Sequence, residues 1–201
     1  MNIKTFEDRL CDIIENAKKM TVKIFSVEKD FFKGDKEYLN GTGFFLDQNY
    51  IVTNYHVIQD ANEIKIGMYQ KKQLIDVEIM GFDVYYDIAV LKIHDYNISL
   101  LKCNSKNLKE GQIVLSIGMP FGLDFSSSIG MISSLNHCIK LENGNVIKEV
   151  IQIDEKLLPG CSGGPLINMN SEIIGLNTLM FIFLEFLIHI PSFDNTSSPI
   201  S

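Results

Sequence analysis

No CxxC pair occurs among the four cysteines, Cys11, Cys103, Cys138 and Cys161, and 201 residues can fold without covalent staples. Free thiols in a reducing compartment are the expectation. No window holds a dense Lys/Arg stripe: 18 bases stand against 25 acids, for a net charge of -7. A phosphate backbone has little to bind here, so no nucleic-acid partner is expected. The first twenty residues carry charges throughout and lack the unbroken apolar core of about 7 to 15 residues that marks a secretory signal. A cytoplasmic location is therefore expected, with an extracytoplasmic one if a leader is missing. The most apolar stretch, residues 179–190 (LMFIFLEFLIHI), contains Glu185 and His189 and falls short of the roughly 20 residues a spanning helix needs. No membrane span is expected there, and a buried strand pair is the plainer reading. Only 5 prolines interrupt a chain whose side chains are 46% apolar. That suits one globular unit, or two small ones tightly joined, around a sizeable core.

Helical spacing is confined to the start. Phe6, Leu10, Ile13, Ile14 and Ala17 form one apolar face, with Thr5 as a cap and Lys18-Lys19 at the far end, so residues 1–20 read as an N-terminal helix. After Met20 the pattern changes to short β-branched and aromatic stretches separated by Gly, Asn and Asp, beginning with Thr21 to Val27, Thr42 to Leu46 and Tyr50 to Thr53. Asn143-Gly144 signals a tight turn between two later ones. About a dozen such strands imply a sandwich or barrel. The polar segment 104–111 is the expected joint between two β halves.

The chemistry centres on Pro159-Gly160-Cys161-Ser162-Gly163-Gly164-Pro165. Three glycines around one serine let the backbone turn sharply and aim amide N–H groups at one point, which is what an oxyanion hole requires. Ser162 is the candidate nucleophile, and the N–H groups of Gly160 and Ser162 are the candidate donors. A base must accompany it. Of the 4 histidines, His56 follows an apolar strand at Ile51-Val52-Thr53-Asn54-Tyr55, whereas His94, His137 and His189 have no comparable setting. A carboxylate must then hold the imidazole in its working tautomer. Asp87, at the mouth of the apolar run Ile88 to Ile93, is the candidate, and Asp83 is its rival.

Together with Gly41-Thr42-Gly43-Phe44-Phe45, Ile117-Gly118-Met119-Pro120-Phe121-Gly122 and Ile151-Gln152-Ile153-Asp154, these segments resemble the trypsin-like serine proteases, specifically the HtrA/DegP branch, over roughly residues 12–192. The resemblance implies an all-β fold of two six-stranded antiparallel β-barrels, a chymotrypsin/trypsin-like fold with a short N-terminal helix. The first barrel would span about 21–103 and the second about 111–192, with 193–201 a flexible tail. It implies a serine endopeptidase acting through His56, Asp87 and Ser162 by way of an acyl-enzyme, with no metal or cofactor. Non-native polypeptides would be the substrates. Leu157, Leu158, Asn177, Thr178 and Ile188 would line the substrate site, and Phe31-Phe32 would serve either a homo-trimer contact or local packing.

The chain departs from the branch in several places. Cys161 replaces the usual asparagine before the nucleophile and reads as a small buried filler, a redox switch requiring instead an exposed thiol of low pKa. Leu158 stands where a polar residue is usual, and the bulky segment 185–191 falls where small residues usually flank the specificity pocket. The alternative reading is a catalytically silent module of the same fold that holds extended peptides as an added strand.

Overall fold

Apolar residues at three- and four-residue spacing make α1 (Ile3–Met20) an amphipathic helix that buries Ile13, Ala17 and Met20. Its first described residue is Ile3, two positions before the expected cap Thr5. Thr5 therefore lies inside the helix and does not cap it. At the other end the Thr21 hydroxyl donates to the Ala17 carbonyl at 2.8 Å, occupying one of the orphan acceptors of the last turn. The computed structural model describes residues 3–28, 36–94, 96–140, 146–179 and 185–188. Phe31-Phe32, the Asn143-Gly144 turn and the 193–201 tail lie outside these.

Strands β1 (Thr21–Glu28), β2 (Lys36–Phe45), β3 (Tyr50–Thr53), β4 (Ile64–Met68), β5 (Leu74–Asp83) and β6 (Ile88–Lys92) close into a barrel in the order β1-β2-β3-β6-β5-β4. Period-two burial drives the closure. Along β6, Ala89 and Leu91 are buried while Ile88, Val90 and Lys92 are half-exposed. One helical turn, α2 (Tyr55–Ile58), interrupts the barrel strands directly after β3.

The second half comprises β7 (Lys102–Cys103), β8 (Ile113–Gly118), β9 (Ser126–Lys140), β10 (Val146–Ile153), β11 (Pro165–Asn168), β12 (Glu172–Leu179) and β13 (Glu185–Ile188). Its sheet runs β11-β8-β9-β10-β13-β12-β7 and curls until β11 and β12 also pair. All pairings are antiparallel except the short β7–β12 contact. Because β7 belongs to this second sheet, the chain crosses between sheets after β6, ahead of the polar segment 104–111. The apolar run at the C-terminal end contributes the last residue of β12 and all of β13, which pair from Leu176↔Ile188 to Leu179↔Glu185.

A single apolar cluster unites the halves. It holds Ile24, Phe44, Ile51 and Leu91 of the first barrel, Ile13, Ala17 and Met20 of α1, and Leu115, Ile117, Ile167 and Leu176 of the second sheet. Burying a side chain such as Met20 contributes roughly 1.5–3 kcal/mol. The Arg9 guanidinium adds a polar tie, donating from Nε at 3.0 Å and from Nη2 at 2.7 Å to the Met169 carbonyl in the β11–β12 turn. A smaller cluster of Val114, Ile132, Ile151, Ile153, Leu157, Leu166 and Ile174 fills the second barrel.

Candidate active site

His56 sits in α2 because β3 ends at Thr53 and the chain then turns once. Its ring Nδ1 lies 2.7 Å from Asp87 Oδ2, and its backbone N–H donates to Asp87 Oδ1 at 2.9 Å. An ionised carboxylate only accepts, so Nδ1 carries the proton and Nε2 is left as the basic nitrogen. The Asp87 side chain is 14% exposed and that of His56 is 38% exposed. The imidazole therefore rests one edge on a shielded anion while the side chain as a whole stays partly open to solvent.

Asp87 reaches this position through a left-handed backbone, φ 55°. Aspartate tolerates that region better than most residues. The turn before it is fixed by Asp83, whose Oδ1 accepts from the N–H groups of Tyr85 at 2.8 Å and Tyr86 at 3.1 Å. Asp83 is thus occupied with the turn, and Asp87 is the residue that meets His56.

Asn54 braces the arrangement, a role that the sequence reading missed. It is fully buried, and its Nδ2 donates to the Asp87 carbonyl at 2.8 Å and to Thr178 Oγ1 on β12 at 2.7 Å. The Tyr55 N–H donates to the same Asp87 carbonyl at 3.1 Å. Asn54 makes no side-chain cap for α2, and its Oδ1 has no hydrogen-bond partner among the described residues. The signal available was a polar side chain closing the apolar run Ile51-Val52.

The serine loop lies against β2. The Thr42 N–H donates to the Ser162 carbonyl at 2.8 Å, and the Thr42 hydroxyl donates to the Gly160 carbonyl at 2.7 Å. Gly41 fits between His56's neighbour and the serine: a Cβ there would come within 2.8 Å of Val57 and 3.0 Å of the Ser162 carbonyl. Ser162 is 4% exposed. Two loop glycines are required by conformation and space together. Gly160 has φ 97° and Gly163 φ 84°, and a Cβ on either would meet a backbone oxygen, Met119 O at 2.1 Å or Thr42 O at 2.0 Å. The Pro159 carbonyl accepts from the Phe121 N–H at 2.7 Å. Since C=O and N–H point oppositely across a trans peptide, the Gly160 N–H faces away from Phe121. Among the described residues no backbone carbonyl accepts from it.

The residues expected to line the substrate site are distributed unevenly. Asn177 is buried, its N–H donating to Gly164 O at 2.8 Å and its carbonyl accepting from the Gly163 N–H at 2.8 Å. Thr178 joins Asn54. Leu158 is half-buried and its carbonyl accepts from the Cys161 N–H at 3.0 Å. Leu157 points instead into the second-barrel core, 4% exposed. Ile188 is described by its backbone alone, paired with Leu176 and Val150. Burial pushes the Cys161 thiol above its ordinary pKa, despite the opposing Leu158 hydrogen bond. That is the character of a filler and not of a reactive thiolate. The four cysteines are free.

Beneath the loop, Glu155 is only 7% exposed, and burial holds its carboxyl above the ordinary carboxylate value. The Ser128 hydroxyl donates to Oε1, and Oε2 has no hydrogen-bond partner among the described residues. Among those residues no cluster of three or more His, Cys, Asp or Glu side chains is placed to hold a metal, and no helix is long and apolar enough to cross a membrane.

The family model described as "Trypsin-like peptidase domain" matches residues 41–176. A "Probable periplasmic serine endoprotease DegP-like" of Halomonas elongata is 41% identical over 143 residues, covering 70% of this chain and 29% of that protein. "Protease Do-like 1, chloroplastic" of Arabidopsis thaliana is 40% identical over 147 residues, covering 71% and 33% respectively. The chain thus spans about a third or less of the length of these curated relatives. Among solved structures, "HtrA-type protease AlgW with decapeptide" superposes with a TM-score of 0.80 at 24% identity, covering 89% of this chain and 63% of that one. That likeness concerns the fold.

Proposed function

The chain belongs to the trypsin-like peptidase domain family, and from this premise we propose that it is a serine endopeptidase with Ser162 as nucleophile, His56 as base and Asp87 as orienting acid. The observation that carries the reading is the two-point clasp of Asp87 on His56, through Nδ1 at 2.7 Å and the backbone N–H at 2.9 Å. That clasp fixes both the tautomer and the ring orientation that a base at Nε2 requires.

In this mechanism His56 Nε2 takes the Ser162 hydroxyl proton as Oγ attacks the scissile carbonyl. The Gly160 and Ser162 N–H groups bind the oxyanion, each worth about 3 kcal/mol to the transition state. His56 then protonates the leaving amine, an acyl-enzyme remains, and His56 activates the water that releases it. The outward-turned Pro159 carbonyl supports this role for Gly160, because a reversed peptide would put an oxygen in the hole.

The substrates are polypeptides in a non-native state. An exposed shelf beside Asp87 supports this: Phe82 is 57% and Tyr86 46% exposed, and the Phe82 ring lies 4.8 Å from that of Tyr55, the neighbour of His56. Such a shelf suits extended segments whose apolar side chains are not buried in a fold of their own. The compartments named for the relatives, periplasmic and chloroplastic, favour an extracytoplasmic setting over the cytoplasmic one. A homo-trimer is retained only as an expectation, since Phe31-Phe32 falls outside the described residues.

Labelling with a fluorophosphonate probe tests nucleophile and base together. Wild type is expected to label, and Ser162→Ala and His56→Ala are expected not to. A folded wild-type protein that fails to label would overturn the reading in favour of a silent binding module.

A further inference from the structure

A cavity of about 440 Å³ opens beside His56, lined by Ser26, Tyr38, Asn40, His56, Val57 and Asp60. All of these belong to the first barrel. It adjoins the nucleophile, because Gly41, next to Asn40, packs against both Val57 and the Ser162 carbonyl. The serine loop and β12 belong to the second half of the molecule, whereas the cavity is lined by the first alone. On the peptidase reading, on which this inference rests, that first half is the side towards which His56 delivers a proton to the departing amine. The chain beyond the scissile bond passes over it.

The cavity has a definite chemical character. The Ser26 hydroxyl donates to Asn40 Oδ1 at 3.1 Å, and Asn40 Nδ2 donates to the Val57 carbonyl at 3.1 Å. The hydroxyl proton is thereby spent, one amide hydrogen is spent, and acceptor lone pairs remain on the Ser26 oxygen and on Asn40 Oδ1. Asp60 adds a carboxylate at the rim. Its Oδ2 accepts from the Gln59 amide at 3.4 Å, and among the described residues no lysine or arginine is bridged to it. The Ser26 and Asn40 acceptors, with a carboxylate at the mouth, fit a side chain that only donates, as an ammonium or guanidinium does. The chain's net charge of -7 draws cations in the same sense.

We propose that this cavity receives a lysine or arginine side chain from the first two residues on the leaving-group side of the cleaved bond, with Asp60 as its charge partner. Asp60 is a specificity-determining residue in this scheme and takes no part in bond breaking. Exposure limits its effect to the range of surface ion pairs, about threefold in selectivity.

The test is digestion of a permanently unfolded protein, carboxymethylated lactalbumin, followed by mass-spectrometric identification of the new N-termini. With wild type, Lys and Arg are expected in the first two positions about threefold more often than their abundance dictates. Asp60→Asn is expected to bring that ratio to about one, and Asp60→Lys to shift the preference to Asp and Glu. New N-termini without the enrichment, or an enrichment that survives Asp60→Asn, would overturn the inference and leave the peptidase reading standing. No new N-termini from wild type, with no fluorophosphonate labelling, would overturn the peptidase reading and this inference with it.

Discussion

At the scale of single residues, the site depends on side chains that never touch a reacting atom. Asn54 holds the Asp87 carbonyl and Thr178 together from a fully buried position. Replacing it by alanine strands the Thr178 acceptor and loosens the strained Asp87 backbone. Asn54→Ala is therefore expected to lower kcat on a fixed peptide ester by about tenfold or more, with KM nearly unchanged, since truncating a buried hydrogen-bonding group costs about 1–3 kcal/mol. Equal changes in both constants would argue against this role. Glu155 offers a second test, through pH. Its folded-state pKa is raised, first by burial and also by Asp154, with the Ser128 and Ser116 hydroxyls pulling the other way. The folded protein thus keeps a proton that the unfolded chain loses above the ordinary value of 4.5. Stability must then fall as pH rises from that value through the raised one. Glu155→Gln is expected to raise Tm at neutral pH and flatten the decline. An unchanged pH profile of Tm would contradict the assignment.

At the scale of elements, the serine loop stands on its glycines. Gly160→Ala would place a methyl 2.1 Å from the Met119 carbonyl at φ 97°, so the peptide must rotate. The expected outcome is loss of fluorophosphonate labelling by at least about 100-fold, the scale of one lost oxyanion donor, while far-UV circular dichroism is retained. Labelling equal to wild type would show that Gly160 contributes no donor. Much of this was legible in the chain. The Gly-rich turn, the isolated His56 and the Asp87 at a strand mouth each bear the local signature of the chemistry proposed for them, and β3, β6 and β10 follow from short runs rich in β-branched residues. The residues that join elements were not legible. Thr42 and Asn54 act through partners more than a hundred residues away, and Leu157, in the loop between β10 and β11, turns inward onto apolar residues of β8, β9 and β12 that no local pattern brings near it. Asp83 and Asp87 were separable only once the turn between them was seen.

At the scale of the molecule, both sheets and α1 contribute to one apolar cluster. Neither half can lose its packing without exposing the other. Unfolding in guanidinium is thus expected to be a single transition, with circular dichroism and labelling capacity falling together. Two separated transitions would mean that the barrels are independent. The Arg9 tie to Met169 spans 160 positions, which has a consequence during synthesis. On the ribosome α1 emerges before β8, so its apolar face lacks the surface it later covers, and His56 and Asp87 precede Ser162, Asn177 and Thr178 by many residues. On the peptidase reading, the nascent chain between Asp87 and Ser162 would hold a base and no nucleophile. The contacts that β12 makes with Asn54 and the serine loop form only when Asn177 and Thr178 have emerged, so on that reading the half-made protein would be unable to attack itself or its neighbours on the same message.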